Sequence, residues 1–304
     1  MLALTGSSGF IGKAVSPHLL FPQKRLVSEI PFGNTTPSSC CYILGDLVNQ
    51  SNVLRLVENT DTLVHLACRC NPRNSNHRFQ EIIDQDLKTT INLFETFAKS
   101  NPNGHIVFAS SGGNMYQSYA PFIPRTENDA PMPSSGYSIQ KLAAEQYLRI
   151  LCDLYKISAT VLRISNPYGF LLPTSRAQGL IGITFSKILF NEALDIFDSA
   201  ESIRDYLHLD DLTEAFKLVT NCVPTPGTFR LFNVSFGRGY SLHQVLSLIE
   251  DVTGRTIKKQ YQSSFHTIPS SWSVLSSNHI QKTLGWQPKV NLEEGLRLMW
   301  KAIN

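Results

Sequence analysis

"ALTGSSGFIGKAV", residues 3–15, is the stretch that decides the fold. A short apolar run leads into Gly6, Gly9 and Gly12, and a helical pattern follows. Each glycine meets a separate steric demand. A tight turn favours a residue without a Cβ, close approach to a pyrophosphate needs bare backbone, and close packing of helix on strand needs a small third residue. The helix start then offers free N–H groups and the positive end of its dipole to a phosphate. Alone, the triplet fits a turn that binds nothing about as well. Its place on the first strand of a strand–helix series is what points to a dinucleotide.

That series runs through the first half of the chain. Residues 11–20 read as a helix, 25–30 as a second strand, 41–44 as a third and 50–58 as a helix. "DTLVHLA" (61–67) is an apolar strand with polar flanks. Phe79, Ile82, Ile83, Leu87, Ile91, Phe94 and Phe97 predict one long helix over 79–99. "HIVFASS" (105–111), a helix over 137–155 and "ATVLRIS" (159–165) complete the run. Alternation of this kind, with continuously apolar strands, specifies an α/β fold with a Rossmann-type doubly wound parallel sheet. Beyond residue 166 the pattern turns irregular, with a helix near 179–191, a strand "FRLFNVS" and a terminal helix "NLEEGLRLMWKAI". No repeat or low-complexity linker separates the halves. The expected organisation is a dinucleotide-binding domain over 1–165 with a return near 206–235. A smaller, interleaved C-terminal substrate-binding lobe is drawn mainly from 166–304.

Composition narrows the function. The net charge is only +3 and no block of like charges occurs, which argues against a nucleic-acid binder. Cys68 and Cys70 are closer together than zinc-ligand pairs usually are, and no second Cys/His pair complements them, so no metal is expected. The six scattered cysteines read as reduced thiols of a cytoplasmic protein. No signal-peptide pattern opens the chain, and no apolar run approaches the roughly 20 residues of a membrane span.

An acid at the end of the second strand often holds the adenosine ribose. Glu29 is the only acid near that place, and it reads equally as a loop residue. Lys24 and Arg25 stand before and at the start of the predicted strand rather than after it, which makes them a poor clamp for a 2′-phosphate and favours NAD over NADP. Asp46 follows the third strand and reads as an adenine neighbour or, more simply, as a turn aspartate.

"FASSGGNMY" (108–116) ends a strand with two hydroxyls, at the sheet edge where ligands bind in such folds. Tyr137 and Lys141 follow, four apart on one helix face. A lysine ammonium beside a phenol favours phenolate, from an ordinary value of about 10. A phenolate there can take a proton from a substrate hydroxyl as a hydride leaves. Any isolated Tyr-x-x-x-Lys is ordinary helix surface. This pair follows a glycine turn and a serine-tipped strand, and that order points to catalysis.

With these motifs on the page, the sequence resembles the extended short-chain dehydrogenase/reductases, in the NAD-dependent epimerase/dehydratase group that works on nucleotide sugars. "TGSSGFIG", "GDL" at 45–47, "VHLA" at 64–67, "SSGYSIQK", "LRISNPYG", "RDYLHLDDL", "FNVSFGRGYSL" and "LGWQPKVNLEEGL" match its signatures in order along nearly the whole chain. The resemblance implies NAD held by Gly6, Gly9, Phe10, Ile11, Gly12, Asp46, Leu47, Leu66 and Ala67, with Tyr137 and Lys141. It implies Tyr137 as base, Lys141 as its tuner and ribose ligand, and Ser111 as the assisting hydroxyl. Aligned backward from Tyr116, the hydroxyl position falls on Gly112, and the strand-end alignment that selects Ser111 is preferred. Asn166 and Arg204, with Ser111, are implied on the substrate. Asn166 also reads as a loop cap, and Arg204 as a surface partner of Asp205 or Asp210.

Four departures stand out. Asp86 and Thr89 replace the Asn and Gly of the family's "vNvxGT" helix. No arginine occurs in 261–275, where a second diphosphate ligand is usual, and Ser276 replaces an aspartate. Gly112-Gly113 replace the acidic pair of the dehydratases. The expected activity is a UDP-sugar 4-epimerase acting through a transient 4-keto intermediate. A 4-keto-sugar reductase using NAD(P)H is the alternative, and a non-catalytic dinucleotide-binding protein is a third. A homodimer and a place in polysaccharide-precursor synthesis are expected from the resemblance alone.

Overall fold

The computed structural model describes residues 1–19, 22–30, 40–72, 75–116, 123–176, 178–197, 202–262 and 272–303. The first half runs β1 (Leu2–Thr5), α1 (Phe10–Val15), β2 (Gln23–Val27), β3 (Cys40–Leu44), α2 (Gln50–Val57), β4 (Thr62–His65), α3 (Phe79–Ile82), α4 (Lys88–Ser100) and β5 (His105–Ser111). It continues with α5 (Gly136–Tyr155), β6 (Ser158–Ile164), β7 (Asn166–Tyr168), α6 (Leu180–Leu189), β8 (Leu194–Ile196) and β9 (Ile203–His208). Then come α7 (Leu209–Asn221), β10 (Phe229–Val234), β11 (Gly239–Ser241), α8 (Leu242–Thr253), β12 (Lys259–Tyr261), β13 (Trp272–Ser273), α9 (Asn278–Leu284) and α10 (Leu292–Lys301).

Seven strands form one sheet in the order β10-β6-β5-β4-β1-β2-β3. Every pairing in it is parallel. The period-two rule divides each strand between two cores. Leu2 and Leu4 of β1 face a core shared with α1, α7 and α9, through Val15, Phe216 and Ile280. Ala3 faces the other core, with Leu56 of α2, Phe94 and Phe97 of α4 and Leu148 of α5. Helices therefore cover both faces, and the fold is a Rossmann-like doubly wound sheet. Each such fully buried Leu or Phe contributes about 1.5–3 kcal/mol. A third core belongs to the smaller lobe, where Ile181 and Phe185 of α6, Val245 and Ile249 of α8 and Leu296 of α10 meet Tyr168 and Tyr206. No helix among the described residues is long and apolar enough to cross a membrane.

Local chemistry sets the element ends. Ser135 caps α5 in a reciprocal box with Ser138, and Lys156 ends it in the left-handed region at φ 57°. Ser241 and Gln244 form the same box on α8, which Gly254 terminates at φ 63°.

Three boundaries differ from the sequence-based expectation. The first helix stops at Val15 rather than residue 20, because Pro17 lacks an N–H and opens a 3₁₀ turn over Ser16–His18. The second strand is Gln23–Val27, aligned by parallel pairing of Gln23 with Leu2 and Cys40, so Ile30 falls beyond it and is exposed. The helix expected over 79–99 is interrupted by a π-helical turn at Ile83–Leu87. That turn adds a residue and rotates Asp86 inward, where it is 6 % exposed.

Candidate active site

The carboxyl ends of β1, β4 and β5 meet the start of α5. Gly6 lies at φ 74°, a conformation open mainly to glycine. A Cβ on it would stand 2.5 Å from Ala67 N and 2.7 Å from Leu66 C. A Cβ on Gly12 would stand 2.0 Å from the Gly6 carbonyl oxygen. Gly9 N–H closes the turn onto that oxygen at 3.0 Å, and Gly9 caps α1 with no side chain. Bare backbone, a helix start without a side-chain cap and the Leu66–Ala67 wall together fit a dinucleotide. Phe10, Ile11 and Leu66 anchor this end against the core of α1 and α7. From the smaller lobe, Phe170 meets Phe10 edge-on at 6.1 Å, and the Arg176 guanidinium lies 5.8 Å from the Phe10 ring centre.

Asp46 accepts from Val48 N–H at 3.0 Å and pairs with Arg69, which makes it a turn aspartate and one side of an ion pair. Leu47 packs against the core of α2 and α4. Glu29 is exposed, two residues past the end of β2. Lys24 and Arg25 lie within β2, not before it. Lys24 donates to the carbonyls of Arg55 and Glu58, at 3.1 and 2.6 Å. Arg25 donates to Gln23 Oε1 at 2.7 Å and to the Ser16 carbonyl at 3.1 Å. Both cations are occupied away from the ligand end of the strand.

Ser111 is the last residue of β5, Tyr137 stands in the first turn of α5, and the Ser111 hydroxyl is close enough to the phenol to favour its ionised form. Lys141 is buried, donates to the Ala109 carbonyl at 2.9 Å, and sits 4.7 Å from the Phe108 ring centre and 5.8 Å from that of Tyr137. The strand-end alignment thus brings Ser111, not Gly112, to the phenol. One expectation is corrected. A neighbouring lysine predicts a lowered phenol, whereas burial pushes Tyr137 above its ordinary value, with Cys68 and Asp86 adding to the rise and the Ser111 hydroxyl opposing it. Lys141 donates to a backbone carbonyl rather than to the phenol. His65, beneath the pair, bonds Thr5 Oγ1 at 2.7 Å and Thr90 Oγ1 at 3.0 Å. Burial and then the Lys141 charge hold it down at about 3, so it is neutral.

Sequence reasoning missed the polar network behind these residues. Ser110 donates to Glu145 Oε1 at 2.5 Å, and Arg163 grips the same carboxylate through Nε at 3.1 Å and Nη2 at 2.7 Å. Arg163 Nη1 also donates to Tyr116 at 2.7 Å, and Tyr116 donates to Asn233 Oδ1 at 2.9 Å. The signals were present: Glu145 is four residues beyond Lys141, and Arg163 is a charge inside an apolar strand.

On the side where the sequence places the substrate, Asn166 Nδ2 donates to the Asp205 carbonyl at 2.8 Å, and a Cβ on Gly113 would lie 3.5 Å from its Oδ1. Asn166 therefore borders the glycine bend that follows Ser111. Arg204 is half-buried on β9, opposite Tyr240 and Ser273, and donates to the Ile203 carbonyl at 3.1 Å. It has no ion pair with Asp205, whose carboxylate instead accepts from the N–H groups of Phe236 at 3.1 Å, Gly237 at 3.0 Å and Leu275 at 3.4 Å. Burial pushes Asp205 up to about 7 against those bonds. Ser273, the neighbour of Arg204, donates to the Gly113 carbonyl at 2.9 Å and ties this side to the bend. Most of the segment expected to supply a second arginine, 263–271, lies outside the described residues.

A bare-backbone nucleotide turn joined to a Ser–Tyr–Lys set defines a short-chain dehydrogenase/reductase site. The chain belongs to the NAD-dependent epimerase/dehydratase family, whose sequence profile matches residues 2–235, and NAD is accordingly its cofactor. It is 31% identical to dTDP-4-dehydro-6-deoxyglucose reductase of Escherichia coli, over 99% of this chain and 96% of that protein. Its structure is similar to that of UDP-glucose 4-epimerase from Thermotoga maritima with UDP-glucose, at TM-score 0.88 and 25% identity over 99% of this chain and 98% of that one. It is also similar to MoeE5 in complex with UDP-glucuronic acid and NAD, at TM-score 0.86 and 26% identity over 99% and 97% of the two chains.

Proposed function

We propose that the protein is a nucleotide-sugar 4-epimerase, acting on a UDP-sugar through a transient 4-keto intermediate. The observation that carries this reading is the convergence of Ser111 at the end of β5 and Tyr137 in the first turn of α5 beside the glycine turn, with Lys141 5.8 Å from the Tyr137 ring centre. Similarity to the Thermotoga epimerase over nearly all of both chains supports the reaction class. When bound, NAD supplies the group that accepts a hydride from C4 and returns it. Tyr137 takes the proton of the 4-hydroxyl, and Ser111 holds that oxygen by hydrogen bond. Burial keeps the free phenol protonated, so its ionised form depends on the positive field of the loaded site and on Lys141. The keto-sugar turns over in the pocket, and Tyr137 gives the proton back on the second pass. Asn166 and Arg204 hold the sugar diphosphate, Arg204 by charge-assisted hydrogen bonds.

Purified protein should interconvert UDP-sugar epimers without added cofactor, read by chromatography. No conversion across a panel of nucleotide sugars overturns the reading. The whole-length identity to the E. coli reductase favours a second reading, reduction of a nucleotide 4-keto-sugar with the same three residues. Loss of NAD(P)H absorbance with such a substrate, at one nicotinamide per turnover, selects it.

Two further assignments belong to this proposal. Ile139, Ile150 and Leu154 form an exposed apolar stripe on α5, with Phe79 and Ile83 exposed nearby, and a second copy of the chain covers it in a homodimer. Sedimentation checks this. All six cysteines are free thiols, which supports a reducing, cytoplasmic setting.

A further inference from the structure

The π-helical turn at Ile83–Leu87 does more than break a helix. It presents Asp86 to the loop that follows β4. Asp86 Oδ1 accepts from Arg69 N–H at 2.9 Å and Oδ2 from Cys70 N–H at 3.0 Å, so each oxygen holds one backbone donor of the loop. An asparagine has one acceptor oxygen and cannot reproduce this arrangement of one donor per oxygen. Gln140 Nε2 lies 3.5 Å from Oδ2, one residue before Lys141. Asp86 and Lys141 line one narrow cavity with Ala67, Cys68, Phe108 and Gln140.

We propose that Asp86 is a positioning residue for the acid–base couple: it pins the loop 66–70 against the first turns of α5 and sets a fixed negative charge across the cavity from Lys141, the neighbour of Tyr137. This rests on the reading of Tyr137 as base. The charge persists because its bonds outweigh its burial. Against burial, the Cys70 side chain, the two backbone N–H groups and the Lys141 charge hold the Asp86 carboxyl below its ordinary range. It is felt nearby, since burial and then Asp86 push the Cys70 thiol up to about 12. With Lys141 itself, the groups around Tyr137 are Cys68 and Cys70 on the loop and neutral His65 on β4, while Glu81 on α3 acts on Cys70 from the edge. The Arg69 guanidinium is turned away, toward Asp46 and Gln85. Lys141 is thus the one cation among them, and Asp86 opposes it.

Removing this charge favours phenolate. In Asp86→Asn, the limb of the pH–rate profile that rises with Tyr137 ionisation should move to lower pH by about one unit, about tenfold in rate at a fixed pH on that limb. The pH at which Cys70 begins to react with iodoacetamide, mapped by peptide mass spectrometry, should fall with it. Asp86→Glu keeps the charge and should leave both positions near the wild type, although a longer side chain loosens the loop and lowers turnover. A merely structural role would lower rate and stability without moving either position. If Asp86→Asn does not fold, Asp86→Ser, smaller and uncharged with one acceptor, carries the same test. A folded, uncharged variant with an unmoved rate limb overturns the proposal, even if Cys70 reactivity has shifted. Wild-type activity in Tyr137→Phe would overturn the reading of the base instead, and leaves the Cys70 measurement to judge the loop and the charge.

Discussion

Around the glycine turn the chain makes room by leaving side chains out, while around Asp205 it holds its shape by satisfying one side chain many times. At the cofactor end, Gly6 and Gly12 have backbone atoms 2.0–2.8 Å from where a Cβ would stand. At the other end, one carboxylate gathers three N–H groups, two from the β10–β11 turn and one from Leu275 just beyond β13. The first region is defined by sterics and tolerates almost nothing. The second is defined by polar bonds between segments far apart in sequence, and Arg204 and Asn166 ride on that scaffold. A fold with one end closed by sterics and the other held by polar bonds can keep its cofactor while its second ligand changes.

The largest test of this contrast lies where the ends meet. Tyr137→Phe should cut turnover by about 10²–10⁴-fold while retaining NAD, measured by steady-state rates and cofactor content. Next, Arg204→Ala should raise KM for the nucleotide sugar about ten- to a hundredfold, the loss of a charged hydrogen bond, with NAD content unchanged. Loss of NAD in that variant would break the division between the ends. Gly12→Ala should destabilise the fold by about 1–3 kcal/mol through overpacking and should release NAD, read from Tm and the absorbance of the purified protein. The smallest effect concerns Asp205. Its folded value of about 7 lies above the unfolded carboxyl near 3.8, so the stability it contributes is complete below about 4 and is lost as pH rises to about 7. The stability of wild type relative to Asp205→Asn should therefore fall across that window, followed by urea unfolding.

The legible parts of the molecule were those that local rules dictate. The glycine turn, the strand "HIVFASS" and the four-residue spacing of Tyr137 and Lys141 follow from turn sterics, buried-strand composition and helix geometry. Pro17 also announces the early end of α1 once its missing N–H is weighed. The π turn was not legible, because the apolar positions over 79–99 fit an unbroken helix and the extra residue answers to loop donors at Arg69 and Cys70. The state of Tyr137 was misjudged for a related reason. Spacing placed Lys141 beside it, but not the Ala109 carbonyl that takes the lysine's hydrogen bond or the thiols and carboxylate that crowd the phenol. Glu145 and Arg163, on separate elements, become partners only when the sheet is formed.

The order of strands also bears on how the chain must be made. β10, at residues 229–234, is the last strand of the large sheet and pairs with β6, whose own residues end at Ile164. A ribosome delivers β6 about 65 residues before its neighbour, leaving Thr160 and Leu162 on an unpaired sheet edge in the interval, at roughly 5–20 residues per second. A fragment cut near residue 165 keeps the glycine turn, Ser111, Tyr137 and Lys141, yet carries that edge permanently. It should aggregate where the whole chain does not, so the chemistry and the solubility of this protein depend on different stretches of the same polypeptide.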